Sequence, residues 1–243
     1  MPPQKIAHRF GQRKTMAAPV SSFALLSQHP IFSKIPEGVR RELVASGSLV
    51  RIPQYSLLFH QGDEVTAAYL VMEGLVKIYR NMGEADRTLG FIYKSGMVGL
   101  DALHATDGHP YSAQALGSVV VCAFPKEAIQ SILARTPELG PLLLAEVTRQ
   151  WEEALHEQDI LTRRSTNGRI ADKILRLAEK FGRVEAAGTV LLLKITQREL
   201  ASMAGTNRES VCKALVTFKR EGSIDIQNKL IVVKNKTKLA AWP

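Results

Sequence analysis

Residues 195–221, ITQRELASMAGTNRESVCKALVTFKRE, hold two helix starts separated by a single turn. Thr196 stands three residues before Glu199, and Thr206 stands three before Glu209. Each pair fits a capping box, in which hydroxyl and carboxylate satisfy backbone N–H groups that the first helical turn leaves unpaired. Gly205 lies between them, where a short first helix must stop and the chain reverse. On the second helix Val211, Ala214, Leu215 and Phe218 recur at helical spacing and are expected to face a core. Glu209, Lys213, Thr217 and Arg220 then fall on the outward face. Downstream, SIDI (223–226), QNK (227–229) and LIVV (230–233) read as strand, turn and strand, a hairpin wing. An ordinary helical hairpin accounts for one capping box. Two in tandem, with a wing behind them, predict a winged helix-turn-helix, whose second helix lies in the major groove of DNA.

The charge distribution agrees with that partner. The 243-residue chain carries a net charge of +9, unevenly spread. Residues 1–16 have four bases and no acid, and residues 17–166 have 13 bases against 16 acids. Residues 167–243 have 15 bases against seven acids, so the excess collects around the helix-turn-helix, as a phosphate-binding surface requires. The basic opening, residues 1–21, is expected to be a disordered tail, and Met16 is a second candidate start. No apolar run approaches the roughly 20 residues of a membrane-spanning helix, and no apolar signal core opens the chain. The cytoplasm is therefore the expected location and no membrane partner is expected. Cys122 and Cys212 are too few and too far apart for a disulfide framework or a CxxC metal site.

Residues 22–136 read as a sensor domain of short strands. In LLFHQGDEVTAAYLVMEGLVKIYR (57–80), apolar stretches are broken at Gln61-Gly62-Asp63 and Glu73-Gly74. Further strands are expected over 88–93 and 118–124, and short helices over 36–46 and 126–135, which together predict an antiparallel roll. A long helix follows over 137–164. Leu144, Val147, Trp151, Ala154, Gln158 and Leu161 alternate there in steps of three and four, the spacing of a coiled-coil seam. A buried amphipathic helix has the same periodicity; two-fold DNA sites, which need two recognition helices about 34 Å apart, favour the dimer seam. The run 165–168 marks the expected boundary, with a helix over 169–181, a strand over 190–193 and the reader completing a domain over 165–243. The expected fold class is α+β: an N-terminal antiparallel roll, a dimerising helix and a C-terminal winged helix-turn-helix.

TQRELASMAGTNRESVCKAL (196–215) with LVTFKREGSI, together with LFHQGDEVTAAYLVMEGLVKIY, resembles the Crp/Fnr family of bacterial transcription regulators over about residues 22–240. The resemblance implies a homodimer with a cyclic-nucleotide-binding-like roll, reading a two-fold symmetric stretch of double-stranded DNA, with RNA polymerase as a further partner. Family members read bases through an Arg-Glu pair and a basic residue one turn on, which correspond to Arg208, Glu209 and Lys213. Arg is suited to guanine O6/N7 and Glu to cytosine N4, while Lys213 offers a point charge to guanine or phosphate. For Glu209 the competing role is capping alone. Ser210, Gln197 and Thr206 are candidate phosphate contacts.

The sensor half departs from the family's cyclic-AMP pattern, a Gly-Glu step for the ribose and an Arg-Ser/Thr-Ala step for the phosphate. Here the corresponding effector-pocket residues are Gly99 and Leu100, then Tyr111 and Ser112. A cyclic phosphate against Leu and Tyr would lack its charge partner, which argues against cyclic AMP. An iron–sulfur cluster needs about four cysteines, and the chain has two. Haem needs an axial ligand, and His60, His104 and His109 read as surface or loop residues instead. No cofactor is therefore expected. Cys122 reads as a buried small hydrophobe, and Cys212 as a thiol on the reading helix whose oxidation would obstruct DNA. The rival to a DNA reader is a small-molecule receptor whose basic C-terminal domain docks an acidic protein. An enzyme is the poorest fit, because no nucleophile–base pair, phosphate-cradling loop or metal-ligand cluster is evident.

Overall fold

The computed structural model describes residues 32–81, 86–103, 108–163 and 165–243, without the side chains of Glu157, Gln158, Leu161 and Arg163. The tail over 1–21 and His104 lie outside the described residues. The chain divides into two compact units, Met1–Glu152 and Glu153–Pro243.

The first unit is a roll of two four-stranded antiparallel sheets. Helix α1 (Glu37–Ser46) leads into β1 (Ser48–Ile52), β2 (Leu57–Phe59), β3 (Ala67–Glu73), β4 (Val76–Asn81), β5 (Asp86–Ile92) and β6 (Met97–Val98). A 3-10 turn (Leu100–Leu103), β7 (Ser112–Ala115), β8 (Val119–Pro125) and α2 (Lys126–Arg135) complete it. One sheet runs β1-β8-β3-β6, the other β2-β7-β4-β5. The short segments alternate because one face of each sheet meets the other across a core that includes Ile52, Phe59, Tyr69, Val71, Val76 and Val121. A second cluster lies beneath the helices, joining Phe32, Leu43 and Phe124 to Ile129, Ile132 and Leu139. Strands β6 and β7 escape the sequence pattern. Two residues carry no period, and Ser112–Ala115 becomes a strand by pairing with β4 and β2, not through any alternation of its own.

Helix α3 runs Leu139–Arg163, within the expected 137–164, and the division between the units falls inside it. Ser165 does not begin a free linker: its hydroxyl caps α4 (Thr166–Phe181) by accepting from the Gly168 N–H. Strands β9 (Gly182–Glu185) and β10 (Gly188–Leu191), helices α5 (Gln197–Met203) and α6 (Arg208–Arg220), strands β11 (Ile224–Gln227) and β12 (Leu230–Val233), and α7 (Lys236–Ala240) follow. Their sheet runs β11-β12-β10-β9. The wing turns at Asn228 and Lys229, both with positive φ (50° and 65°), between the paired Gln227 and Leu230. That is the two-residue left-handed turn whose twist suits a hairpin.

Helix α6 is stopped by its own backbone. Gly222, at φ 73°, donates to the Lys219 carbonyl while Ser223 donates to that of Phe218, the paired bonds of a Schellman ending. Lys238 of α7 adds its ammonium to the Glu221 carbonyl at 2.6 Å. Phe218, fully buried, closes the core beneath α6 with its ring 5.5 Å from that of Trp242. Among the described residues no helix is long and apolar enough to cross a membrane. Because Phe218 has no exposed surface to relax into, Phe218→Ala should destabilise the C-terminal unit by about 3–5 kcal/mol, read as a fall in the urea midpoint followed by circular dichroism.

Candidate functional site

The first helix of the reader starts as the spacing predicts. Thr196 caps α5, its hydroxyl accepting from the Glu199 N–H at 3.1 Å while the Glu199 carboxylate accepts from the Thr196 N–H. The second does not start where the spacing predicts. Asn207 (φ −99°, ψ 163°), not Thr206, is the cap of α6, and its side-chain oxygen accepts from the Ser210 N–H at 2.8 Å. Asn is as strong a cap as any residue, and its carboxamide reaches the N–H three positions on. The Thr206 N–H instead donates to the Ala201 carbonyl, inside the turn made by Gly205 at φ 57°. This one-residue shift changes the chemistry of Glu209. It leaves the capping position, so its carboxylate is not held by the backbone, and among the described residues it has no hydrogen-bond partner or ion pair.

Arg169 on α4 fixes the turn from below. Its Nε donates to the Ala204 carbonyl at 2.8 Å and its Nη2 to that of Gly205 at 3.4 Å, satisfying acceptors that the end of α5 leaves open. Packing sets the rotation of α6: Val211, Ala214, Leu215 and Phe218 are buried, as expected. Arg208, Glu209, Lys213 and Arg220 are exposed on the other side, Ser210 and Thr217 are half-buried, and Thr206 lies half-buried just ahead of the helix. The sequence reading passes over Val216, 68% exposed on the same outward face. Its position three residues after Lys213 and four before Arg220 is the signal that marks it, since apolar side chains there can meet thymine methyl groups. Gln197 sits across the turn from Arg208, with its Oε1 accepting from Arg208 Nε at 3.3 Å and from Cys212 Sγ at 2.9 Å. On the wing side Lys219 pairs with Asp225 at 3.2 Å. The Asp225 carboxyl is lowered to about 2, first by the Gln227 side chain, then by the Ile226 N–H and Lys219.

In the N-terminal unit, Gly99 and Tyr111 come together, while Ser112 bonds elsewhere and Leu100 packs elsewhere. The Gly99 N–H donates to the Tyr111 hydroxyl at 3.2 Å, while the Ser112 hydroxyl accepts from the Gln61 N–H at 2.9 Å. Leu100 packs instead with the cluster beneath the helices, and Tyr111 with the core of the roll. His109 is no surface residue: at 2% exposure it stacks on Phe59 with ring centroids 3.6 Å apart and pairs with buried Asp101. A loop histidine is drawn inside when an aromatic face and a carboxylate both await it, and neither lies near it in sequence pattern. His60 is half-buried. Burial pushes the Tyr111 hydroxyl up to about 12, the Asp101 charge adds to this, and the Gly99 N–H opposes it. Tyr69 is raised to about 12 by burial and then by Asp101. Cys122 is buried in β8 and its thiol is likewise raised to about 12 by burial, the environment of a small hydrophobe. Among the described residues no cluster of His, Cys, Asp and Glu is placed to hold a metal ion.

Along α3, Leu144 (66% exposed), Val147 (44%) and Trp151 (64%) are exposed on one helix, with Ala154 and Leu155 following. Gln158 and Leu161 lie on the same helix, with side chains outside the description.

With this geometry in hand, the comparison with known proteins is decisive. A cyclic nucleotide-binding domain matches residues 49–136, and a Crp-like helix-turn-helix domain matches residues 168–242. The chain belongs to the Crp/Fnr family of transcription regulators. Its relatives include the CRP-like cAMP-activated global transcriptional regulator of Mycobacterium tuberculosis, 26% identical over 89% of this chain and 97% of that protein. The fumarate and nitrate reduction regulatory protein of Escherichia coli is 26% identical over 75% of this chain and 73% of that one. A solved Crp/Fnr-family transcriptional regulator from Thermus thermophilus superposes with a TM-score of 0.65 at 27% identity, covering 79% of this chain and 97% of that one. Crp/Fnr proteins are DNA-binding regulators and not enzymes.

The cap assignment has a direct check. Asn207→Ala should cost about 1 kcal/mol in urea unfolding, while Thr206→Ala should cost less than about half of that; the reverse ranking would put the cap back at Thr206.

Proposed function

We propose that this Crp/Fnr regulator is a homodimer in the cytoplasm that reads a two-fold symmetric DNA site, without cyclic AMP bound by the family's usual contacts. The reading rests on one observation: Arg208, Glu209 and Lys213 stand exposed at the start of a helix whose cap is supplied by Asn207. Glu209 is then available to accept from cytosine N4 and Arg208 to grip guanine, while Lys213 lies one turn on for a guanine or a phosphate. Ser210, Thr206 and the Gln197 amide are placed at the helix start for phosphates, and the basic excess over residues 167–243 supplies the sequence-independent part of the affinity. The exposed Leu144, Val147, Trp151 and Ala154 support a dimer seam along α3, with Gln158 and Leu161 continuing the same spacing. In the sequence resemblance, Leu100 and Tyr111 correspond to the family's ribose-binding Glu and phosphate-binding Arg, and the Tyr111 hydroxyl already accepts from the Gly99 N–H. An anionic phosphate there would lose its water without gaining a charge partner.

Selection of bound DNA from random sequence with the purified protein, followed by gel shifts, tests this. Two half-sites should emerge, with affinity falling steeply as salt rises; a salt-insensitive affinity with no preferred sequence would overturn the proposal. Arg208→Ala should relax discrimination at one base pair per half-site by about 1–3 kcal/mol. Trp151→Glu should shift the protein toward monomer in sedimentation. Cyclic AMP at millimolar concentration should leave the melting temperature unchanged.

A further inference from the structure

The base-reading face carries a feature beyond its exposed readers. Gln197 opens α5 and Arg208 opens α6, eleven positions later, yet the turn at Gly205 brings them into contact. The Gln197 Oε1 accepts from Arg208 Nε at 3.3 Å and from Cys212 Sγ at 2.9 Å. A carbonyl oxygen has two lone pairs, so both are used, and the amide is fixed with its oxygen toward α6. Cys212 lies one turn after Arg208 on the same helix, half-buried against Gln197, and so anchors the amide from the far side.

A guanidinium can present either of two edges to a guanine: the two Nη groups end-on, or Nε with one Nη from the side. Engagement of Nε by Gln197 removes the second edge. We propose that Gln197 is a positioning residue for sequence discrimination: it holds Nε of Arg208 so that the two Nη groups alone meet guanine O6 and N7 end-on. This rests on the base-reading role of Arg208 argued above. The flexible arginine stem is thereby ordered before DNA arrives, and less of its rotamer freedom remains to be lost at the interface. The remaining Gln197 N–H groups stay available to a phosphate, so one residue both anchors the protein on the backbone and aims the neighbouring reader.

The two roles separate in measurement, because a phosphate contact weakens all sequences alike whereas an aiming role acts at one base pair. The test uses the full-length protein, the operator obtained by selection, and the same operator with single base-pair replacements through each half-site. Arg208→Ala first identifies the guanine concerned. Gln197→Ala should then lower the preference for that guanine by roughly two- to ten-fold, the size expected from one lost hydrogen bond, with preferences elsewhere unchanged. Gln197→Glu keeps the acceptor and adds a negative charge. It should lower affinity for every sequence while preserving the preference at that guanine. In the Arg208→Ala background, Gln197→Ala should change no base preference at all.

A uniform loss of affinity in Gln197→Ala with the guanine preference intact would reduce the residue to a phosphate contact and overturn the proposal. So would a change of preference that persists without Arg208. If Arg208→Ala alters no base preference, both this inference and the base-reading role fall together. If Arg208→Ala does alter one and Gln197→Ala does not, only the aiming role falls. Thermal unfolding of each variant registers any loss of fold, which would depress binding to all sequences without singling out one base pair.

Discussion

The one-sided burial of α6 is the constraint on which the rest of the reader depends. Val211, Ala214, Leu215 and Phe218 are anchored in the core of the C-terminal unit, and a helix held at four points along one face has no freedom to rotate. The opposite face is then outward by geometry, whatever residues it carries. Everything functional about the unit follows from what those outward positions hold and from how firmly the helix ends are tied. The N-terminal end is tied by Asn207 and the turn beneath it by Arg169; the C-terminal end is tied by Gly222, Ser223 and Lys238. Each of these bonds satisfies a backbone group that a shorter or looser helix would expose to water or leave orphaned. The same bonds that stabilise the helix therefore fix the register of Arg208, Glu209 and Lys213.

The sensor half is organised on a different principle. Its core is built from paired strands, and several of its polar side chains are drawn into the protein's own packing. Tyr111 takes the Gly99 N–H, and His109 stacks on Phe59 and closes on Asp101. The Gly99 N–H and the Asp101 carboxylate are thus both partnered inside the unit.

Most of the reader was legible in the primary sequence. The capping box at Thr196 and Glu199, the buried positions of α6, the wing and its turn all have short-range causes: side chains reaching backbone groups three residues away, or spacing against a helical period. The exposed apolar stripe of α3 follows from spacing in the same way. The error at Thr206 is instructive because it too is local. Two adjacent residues, Thr206 and Asn207, can each cap a helix, and the spacing to Glu209 favours the first. What decides between them is the turn, in which the Thr206 N–H is already committed to Ala201.

By itself, then, the order of residues determined the long helices, most strands of the roll, the wing hairpin, the apolar face of α6, and the basic charge of the C-terminal domain. Periodicity, capping chemistry and charge are properties of neighbours along the chain. The tertiary structure alone decided the one-residue start of α6, the contact of Gln197 with Arg208 and Cys212, the burial of His109, and the strands Met97–Val98 and Ser112–Ala115. The last three depend on groups brought together from separated positions, whose hydrogen bonds and packing have no counterpart in the local pattern, while the start of α6 is settled by the turn, in which the Thr206 N–H goes to Ala201.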